Sequence, residues 1–169
     1  YVMLVLSLAS PVQHQSQVRQ LKKGHAIALV VDISESMQAM DFKPNRLAYA
    51  KEIASKYLYS MEKSNQVSIV PFGSVASIFS PVTSNKAISN FILSQLSIGI
   101  IDGDQSAIGT ALAQGIYSLR NNASHIKHVV LMTDGSSVGS GIDFEEVIKY
   151  ANDEKVKLHT IAIGNHGKI

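Results

Sequence analysis

The sequence predicts an α/β protein with a Rossmann-like, doubly wound and mostly parallel sheet flanked by helices. Short apolar segments alternate with longer segments in which apolar residues recur at helical spacing, which is typical of this fold class. Two of the short segments, residues 26–32 and 128–134, are strongly apolar and each ends in an aspartate. Because crossovers between parallel strands are right-handed, we expect the helices to cover the faces of the sheet.

The composition indicates a globular domain and excludes several classes of site. Of the 169 residues, 46% are hydrophobic and 17% are charged, which suits one domain with a sizeable core. The formal net charge of +2 is too balanced to indicate a nucleic-acid-binding protein. The absence of cysteine excludes disulfides, zinc–thiolate sites and a cysteine nucleophile. No two histidines form a helical His-x-x-x-His pair, and we expect each of them at the surface or at a strand end.

The beginning of the chain differs in composition from the rest. Residues 1–9 are almost entirely apolar, but a bilayer span needs about 20 such residues. We interpret residues 1–10 as the end of a transmembrane helix, residues 11–24 as a basic polar tether, and residues 25–169 as the folded domain. A buried strand or helix is the alternative for the apolar stretch. A cleaved signal peptide is less favoured, because no basic leader precedes that stretch.

In the first half of the domain, an irregular loop follows Ser36, and Asn45 is predicted to cap a helix after Pro44. Residues 66–72 predict the second strand, which we expect to end at Pro71. Residues 76–79 predict a short third strand, antiparallel at the edge of the sheet. The apolar residues of the first helix share one face: Leu47, Ala50, Ile53, Ala54, Tyr57, Leu58 and Met61.

In the second half, Asn85 is predicted to cap a helix, and a polar loop then enters another helix with Ser106 near its N-terminus. Asp143 resembles the start of a capping box with Glu146, opening one more helix. Residues 157–164 predict the last strand. The predicted inward residues of the three helices are, in order, Ile88, Phe91, Ile92 and Leu96; Ile108, Ala111, Leu112, Ile116 and Leu119; and Phe144, Val147, Ile148 and Ala151.

The loop after the first strand carries the main candidate site. Asp32 ends the apolar run, and Ser34 and Ser36 follow at alternate positions. Ligands of open α/β sheets bind outside the carboxyl ends of the strands, and alternate residues of an extended segment point the same way. These side chains could therefore converge on a hard cation such as Mg²⁺, which prefers oxygen ligands. A polar turn without a ligand is the alternative when this pattern is taken alone.

Three spaced motifs resemble the metal-ion-dependent adhesion site of von Willebrand factor type A domains. They are DISESM at residues 32–37, DQSAIG at residues 104–109 and LMTDG at residues 131–135. The resemblance covers roughly residues 24–164 and is specific because several separated motifs agree. It is closest to the membrane-anchored bacterial subgroup of Bat-type aerotolerance proteins, through DFKPNRL at 41–47, SAIG at 106–109, TIAIG at 160–164 and the Ala-Ser-Pro that ends the apolar segment.

The resemblance implies a metal site formed by Asp32, Ser34, Ser36, Ser106 and Asp134. Ser34 and Ser36 would bind the cation directly, Asp32 directly or through water, and Ser106 and Asp134 would complete the shell. The expected cation is Mg²⁺, with Mn²⁺ and Ca²⁺ as alternatives. One coordination position would accept a glutamate or aspartate from a protein partner.

The sequence departs from the family pattern in several places. Ser106 stands where the family has threonine, which keeps the hydroxyl, and Gln105 replaces a usual glycine. Glu35 adds negative charge beside the site, and Pro71 is unusual in the second strand. The C-terminal helix of this fold is missing from the sequence, so we expect the domain to be C-terminally incomplete.

The function implied by the resemblance is a protein-interaction module rather than an enzyme, tethered to the bacterial inner membrane. The implied partners are MoxR-type AAA+ ATPases and other Bat proteins. One alternative is a Mg²⁺-dependent phosphohydrolase of the haloacid dehalogenase type, with Asp32 as the nucleophile. That alternative lacks the second aspartate, because Ser34 occupies its position. A secreted adhesin with the same metal chemistry is the other alternative.

Overall fold

The computed structural model describes residues 24–101, 107–136 and 141–164. The predicted membrane segment and most of the tether, residues 1–23, lie outside these ranges. A short 3₁₀ helix, Glu35–Gln38, follows the first strand. The other elements, in chain order, are β1 (Ala26–Asp32), α1 (Arg46–Ser60), β2 (Gln66–Phe72), β3 (Ser80–Thr83), α2 (Lys86–Gln95), α3 (Ile108–Leu119), β4 (Lys127–Thr133), α4 (Phe144–Asp153) and β5 (Val156–Ala162).

The described strands form one sheet in the order β3-β2-β1-β4-β5. Strands β2, β1, β4 and β5 pair in parallel, and β3 is antiparallel at the edge beside β2. Every residue of β1 is buried, as expected for the central strand of a sheet that is covered on both faces. The predicted α/β class, with a mostly parallel sheet and one antiparallel edge strand, is confirmed.

Alternate residues of β1 pack into two separate apolar layers. Ile27 and Leu29 belong to a core that includes residues of α1 and α2. Ala28 and Val30 belong to the core formed with α3 and α4 on the other face. This alternation follows from the period of two of an extended strand. It fixes the orientation of Asp32 at the end of the strand.

The structure confirms both predicted asparagine caps. The side chain of Asn45 accepts a hydrogen bond from Ala48 N at 2.8 Å, and α1 begins at the next residue. The side chain of Asn85 accepts from the backbone N–H groups of Ala87 and Ile88 at 3.1 and 3.2 Å. Each asparagine satisfies backbone donors that have no partner within the helix.

The third strand was predicted too early in the chain. Ala76 makes only an isolated bridge to Phe72, whereas β3 spans Ser80–Thr83. Pro81 lies within β3 rather than ending the predicted strand, since a proline is tolerated on an edge strand. The predicted second strand, residues 66–72, is confirmed as β2, and Pro71 lies within it: the strand continues to Phe72, whose carbonyl accepts from Ile33 N at 2.9 Å.

The predicted inward face of α2 is confirmed for Leu96, which is buried, and for Ile92, which packs against the core, but not for the other two residues. Ile88 and Phe91 are 50% and 64% exposed, and the buried residues of the helix are Ser89 and Leu93. Ser89 tolerates burial because its hydroxyl donates to the carbonyl of Asn85 in the preceding turn. The helix face that contains Ser89 therefore turns towards the core, although the apolar pattern predicted that Ile88 would do so.

Helix α4 differs from its prediction in a similar way. Asp143 occupies the N-cap position but its side chain makes no capping hydrogen bond. Phe144 and Ile148 are more than half exposed, whereas Val147 and Ala151 are buried. The predicted stripe of α3 is confirmed, with Ile108 partly buried at its margin.

A cavity of about 930 Å³ is lined by residues of α1 and of the strands β1, β4 and β5. Three histidines line it together, His25, His128 and His159. His128 Nδ1 lies 2.9 Å from His159 Nε2, and the His25 and His128 rings stack with centroids 5.4 Å apart. None of the four described residues predicted to bind a cation, Asp32, Ser34, Ser36 and Asp134, is among the residues that line this cavity.

Acidification is expected to destabilise the protein through His128. Burial lowers the pKa of His128 below its ordinary value of 6.5, and His159, His25 and Lys157 lower it further. The unfolded chain therefore binds the proton more readily than the folded one, and stability falls as the pH drops below 6.5. Urea unfolding at about pH 7 and about pH 5 measures this loss. His128→Gln should reduce it, and His125→Gln, at an exposed position, should not. Equal losses in both variants would contradict the role of His128.

Within the described ranges, none of the helices has both the length and the apolar character needed to cross a bilayer.

Candidate metal site

Asp32 lies at the carboxyl end of β1, and its carboxylate is the centre of the candidate site. The residue is 1% exposed, so its charge needs strong polar partners. Its Oδ1 accepts from Ser34 N at 2.9 Å and from Ser34 Oγ at 2.6 Å. Its Oδ2 accepts from Thr133 Oγ1 at 2.6 Å, which links the ends of β1 and β4. These bonds hold the carboxylate in one orientation at the edge of the sheet.

The hydroxyls of Ser34 and Ser36 converge beside Asp32, as predicted. Their Oγ atoms lie 3.1 Å apart. The prediction assumed an extended segment through Ser36, but the chain is extended at Ser34 and then turns into the 3₁₀ helix Glu35–Gln38. Met37 anchors that helix: it is fully buried in the core beneath α1, and its N–H donates to Ser34 O at 3.1 Å.

Asp134 follows β4 and faces the same site. Its side chain has no exposed surface. Oδ1 accepts from Ser136 Oγ at 2.5 Å and from Ser136 N at 3.0 Å, whereas Oδ2 accepts from Arg46 Nη1 at 2.8 Å. Gly135 makes the turn with a φ of 76°, a conformation that side chains disfavour.

The pKa of Asp134 is lowered from its ordinary value of 3.8. Burial is the largest influence and raises this pKa, but hydrogen bonds from Ser136, Ser36 and Arg46 together outweigh it. Asp134 is therefore ionised at neutral pH, as a carboxylate that contributes to a cation site must be.

Ser136 joins the two strand ends. Its hydroxyl lies 2.8 Å from Ser36 Oγ and 2.5 Å from Asp134 Oδ1, so it connects the loop after β1 to the loop after β4. We did not predict this residue as part of the site. Its position two residues after Asp134 parallels Ser34 after Asp32, and that repetition could have indicated it.

Arg46 and Asp41 form a charged group at the margin of the site. The Arg46 guanidinium donates to both oxygens of Asp41 at 2.9–3.1 Å and also to Asp134. Both residues belong to the DFKPNRL motif, but the sequence alone gave no reason to place them beside Asp134. The hydrogen bond between Arg46 and Asp134 joins positions that are 88 residues apart.

The structure brings together four of the five predicted site residues: Asp32, Ser34, Ser36 and Asp134. The fifth, Ser106, lies outside the described residues, as do Asp104 and Gln105. The described chain resumes at Ala107, whose N–H donates to Gly73 O at 3.0 Å.

The cluster consists of carboxylate and hydroxyl oxygens, which are the type of ligand that a hard cation prefers. Its neighbouring oxygen pairs are 2.6 Å apart for Asp32 and Ser34, 3.1 Å for Ser34 and Ser36, and 2.8 Å for Ser36 and Ser136. These are hydrogen-bond distances, and they are also close to the spacing of about 2.9 Å between adjacent ligands of an octahedral Mg²⁺ with bonds of about 2.0–2.1 Å. Among the described residues, no group of three or more His, Cys, Asp or Glu side chains could hold a metal, so a cation here would depend on serine hydroxyls.

The family model of the von Willebrand factor type A domain matches residues 26–168 of this chain. An uncharacterized protein of Borreliella burgdorferi is 30% identical over 165 residues, which cover 97% of this chain and 48% of that protein. The chain spans about half the length of this protein and of other curated relatives that it matches.

Two solved structures share the fold. The conserved hypothetical protein BatB from Bacteroides thetaiotaomicron has a TM-score of 0.75 and 24% identity, covering 86% of this chain and 73% of that one. An aerotolerance-related membrane protein from Bacteroides fragilis has a TM-score of 0.74 and 25% identity, covering 86% of this chain and 74% of that one. These similarities agree with the resemblance drawn from the motifs.

Proposed function

This chain belongs to the von Willebrand factor type A domain family, and from that premise we propose that it is a metal-dependent protein-interaction module. The observation that carries the proposal is the cluster of oxygen atoms from Asp32, Ser34, Ser36 and Asp134 at the carboxyl ends of β1 and β4. Two separate strand ends contribute to this cluster, so it is more than a polar turn after one strand.

In this proposal Asp32, Ser34 and Ser36 hold Mg²⁺, with Mn²⁺ and Ca²⁺ as alternatives, and Ser106 and Asp134 complete the shell. The bound cation supplies a Lewis-acidic position for an anionic oxygen. The serine hydroxyls are neutral ligands and offset little of the cation's charge. The site therefore favours a glutamate or aspartate side chain from a protein partner.

The proposed setting is the inner membrane of a bacterium, with the domain tethered through residues 1–24. The similarity to an aerotolerance-related membrane protein and to BatB supports this setting. MoxR-type AAA+ ATPases and other Bat proteins are the partners that we propose. The same metal chemistry in a secreted adhesin differs only in how the domain is attached.

The geometry favours interaction over phosphoryl transfer. A phosphohydrolase with Asp32 as nucleophile needs a general acid two residues later, and that position holds Ser34, whose hydroxyl bonds to Asp32 Oδ1. Asp32 is also 1% exposed, and both of its oxygens accept hydrogen bonds. We therefore propose that the domain binds a partner and is not an enzyme.

The direct test measures binding between the immobilised full chain and a purified MoxR-type ATPase from the same bacterium. Replacing Mg²⁺ with EDTA should weaken binding at least about tenfold, which corresponds to about 1.4 kcal/mol. Ser36→Ala should weaken it similarly, because it removes one metal ligand. Ser60→Ala, at an exposed position in α1, serves as the matched control. Equal affinity in Mg²⁺ and EDTA would contradict a metal-dependent interaction.

A further inference from the structure

The Arg46 guanidinium joins two carboxylates beside the candidate metal site. It donates to Asp41 through Nε and Nη2 and to Asp134 Oδ2 through Nη1 at 2.8 Å. Arg46 is also the first residue of α1, where the helix dipole disfavours a cation. Helix stability therefore gives no reason for an arginine at this position, but the contacts with Asp41 and Asp134 do.

Both oxygens of Asp134 are already engaged in this arrangement. Arg46 binds Oδ2, and the Ser136 side chain and backbone bind Oδ1. Charge-assisted hydrogen bonds of this kind are stronger than neutral ones, and they draw negative charge away from the carboxylate. Asp134 held by Arg46 therefore offsets less of the charge of a neighbouring cation than a carboxylate without this partner would.

We propose that Arg46 is a positioning residue that sets the charge of the metal site, lowering its affinity for the cation and raising the affinity of the bound cation for a partner's carboxylate. This inference rests on the proposed function, because it concerns regulation of the same site. One residue would thus change two affinities in opposite directions: that of the site for the cation, and that of the bound cation for a carboxylate.

Asp41 counteracts the effect of the Arg46 guanidinium on Asp134. Its carboxylate accepts three hydrogen bonds from Arg46 and so offsets part of the arginine's charge. Asp41→Asn leaves more of that charge acting on Asp134, whereas Arg46→Met removes it. The two variants should therefore change the site in opposite directions.

The experiment measures Mn²⁺ binding to the purified full chain from the EPR signal of the free ion. A second titration adds acetate to the Mn²⁺-loaded protein and measures the relaxation rate of the water protons. This rate falls as acetate displaces water bound to Mn²⁺. The positive charge of Arg46 repels a divalent ion that is separated from it only by the Asp134 carboxylate. Arg46→Met removes this repulsion and should therefore tighten Mn²⁺ binding by about tenfold and weaken acetate binding. Asp41→Asn should do the reverse.

Lys56→Met is the matched control. Lys56 lies ten residues after Arg46 in the same helix, and its substitution removes the same charge. Its side chain is 75% exposed and forms an ion pair with Glu52. Both dissociation constants should stay unchanged in this variant.

The outcomes separate the two claims. If the unchanged chain binds Mn²⁺ and neither Arg46→Met nor Asp41→Asn moves the two affinities in opposite directions, the role of Arg46 is overturned and the metal site stands. If the unchanged chain binds no Mn²⁺ with or without acetate, the metal site itself is overturned, and the inference with it. Should Arg46→Met fail to fold by circular dichroism, Asp41→Asn alone decides, since it must weaken Mn²⁺ binding.

Discussion

Replacing Asp32 with alanine is expected to abolish the stabilisation that the protein gains from Mg²⁺. A ligand at 100 times its dissociation constant stabilises the folded state by about 2.7 kcal/mol. For a domain of this size that corresponds to a rise in melting temperature of roughly 5–10 °C. Asp32 is the buried carboxylate on which the Ser34 and Thr133 hydroxyls converge, so its loss removes the centre of the site. Thermal unfolding in Mg²⁺ and in EDTA measures the difference.

A second substitution separates charge from packing. Asp32→Ala leaves buried donors without an acceptor and should lower stability even in EDTA, by about 1–3 kcal/mol for each donor left unsatisfied. Asp32→Asn keeps an acceptor oxygen and should fold more stably than the alanine variant, yet it should also lose the Mg²⁺ effect. Glu52→Ala removes a remote, largely exposed carboxylate and should keep the full effect. A melting temperature that still rises in Mg²⁺ with Asp32→Ala would contradict the assigned role.

Met37→Ala is expected to damage both the fold and the site. Met37 is fully buried among core residues beneath α1, and truncating such a side chain costs about 2–5 kcal/mol. The same side chain anchors the 3₁₀ helix that places Ser36 beside Ser34. We therefore expect cation affinity to fall together with stability. Urea unfolding and a Mn²⁺ titration measure the two effects.

Met40→Ala is the natural control for that variant. Met40 lies three residues later in the same loop and is 81% exposed, so its truncation should change stability by less than about 0.5 kcal/mol. Equal effects of the two substitutions on stability would show that Met37 does not anchor the loop as its burial indicates. Unchanged Mn²⁺ affinity in Met37→Ala would show that the anchor does not position the serines.

The fold was largely predictable because its main signals are local. The apolar runs of β1 and β4, the stripe of α3 and the asparagines before α1 and α2 each act within a few residues of one another. The errors arose where neighbouring elements decide the outcome. Which face of α2 turns inward depends on its packing, and Ser89 satisfies its hydroxyl within the helix. The position of β3 depends on its register against β2, set by the pairing of Ile69 with Ser80.

The candidate site was predictable only in part, for a related reason. Asp32, Ser34, Ser36 and Asp134 follow strands whose carboxyl ends meet at one edge of the sheet, so their convergence could be inferred from topology. The contacts that complete the cluster join residues about 100 positions apart, as between Ser136 and Ser36 and between Thr133 and Asp32. No local pattern encodes those pairings, and they emerge only when β1 and β4 lie side by side.

Calorimetric titration of Mg²⁺, and then of Mn²⁺, into the unchanged full chain tests the central claim most directly. The account predicts saturable binding of one cation per chain, lost in Asp32→Asn and kept in Glu52→Ala. Repeating the titration with acetate present supplies the carboxylate that a partner would provide. A correctly folded chain that binds neither cation, with or without acetate, would contradict the claim that these oxygens form a metal site.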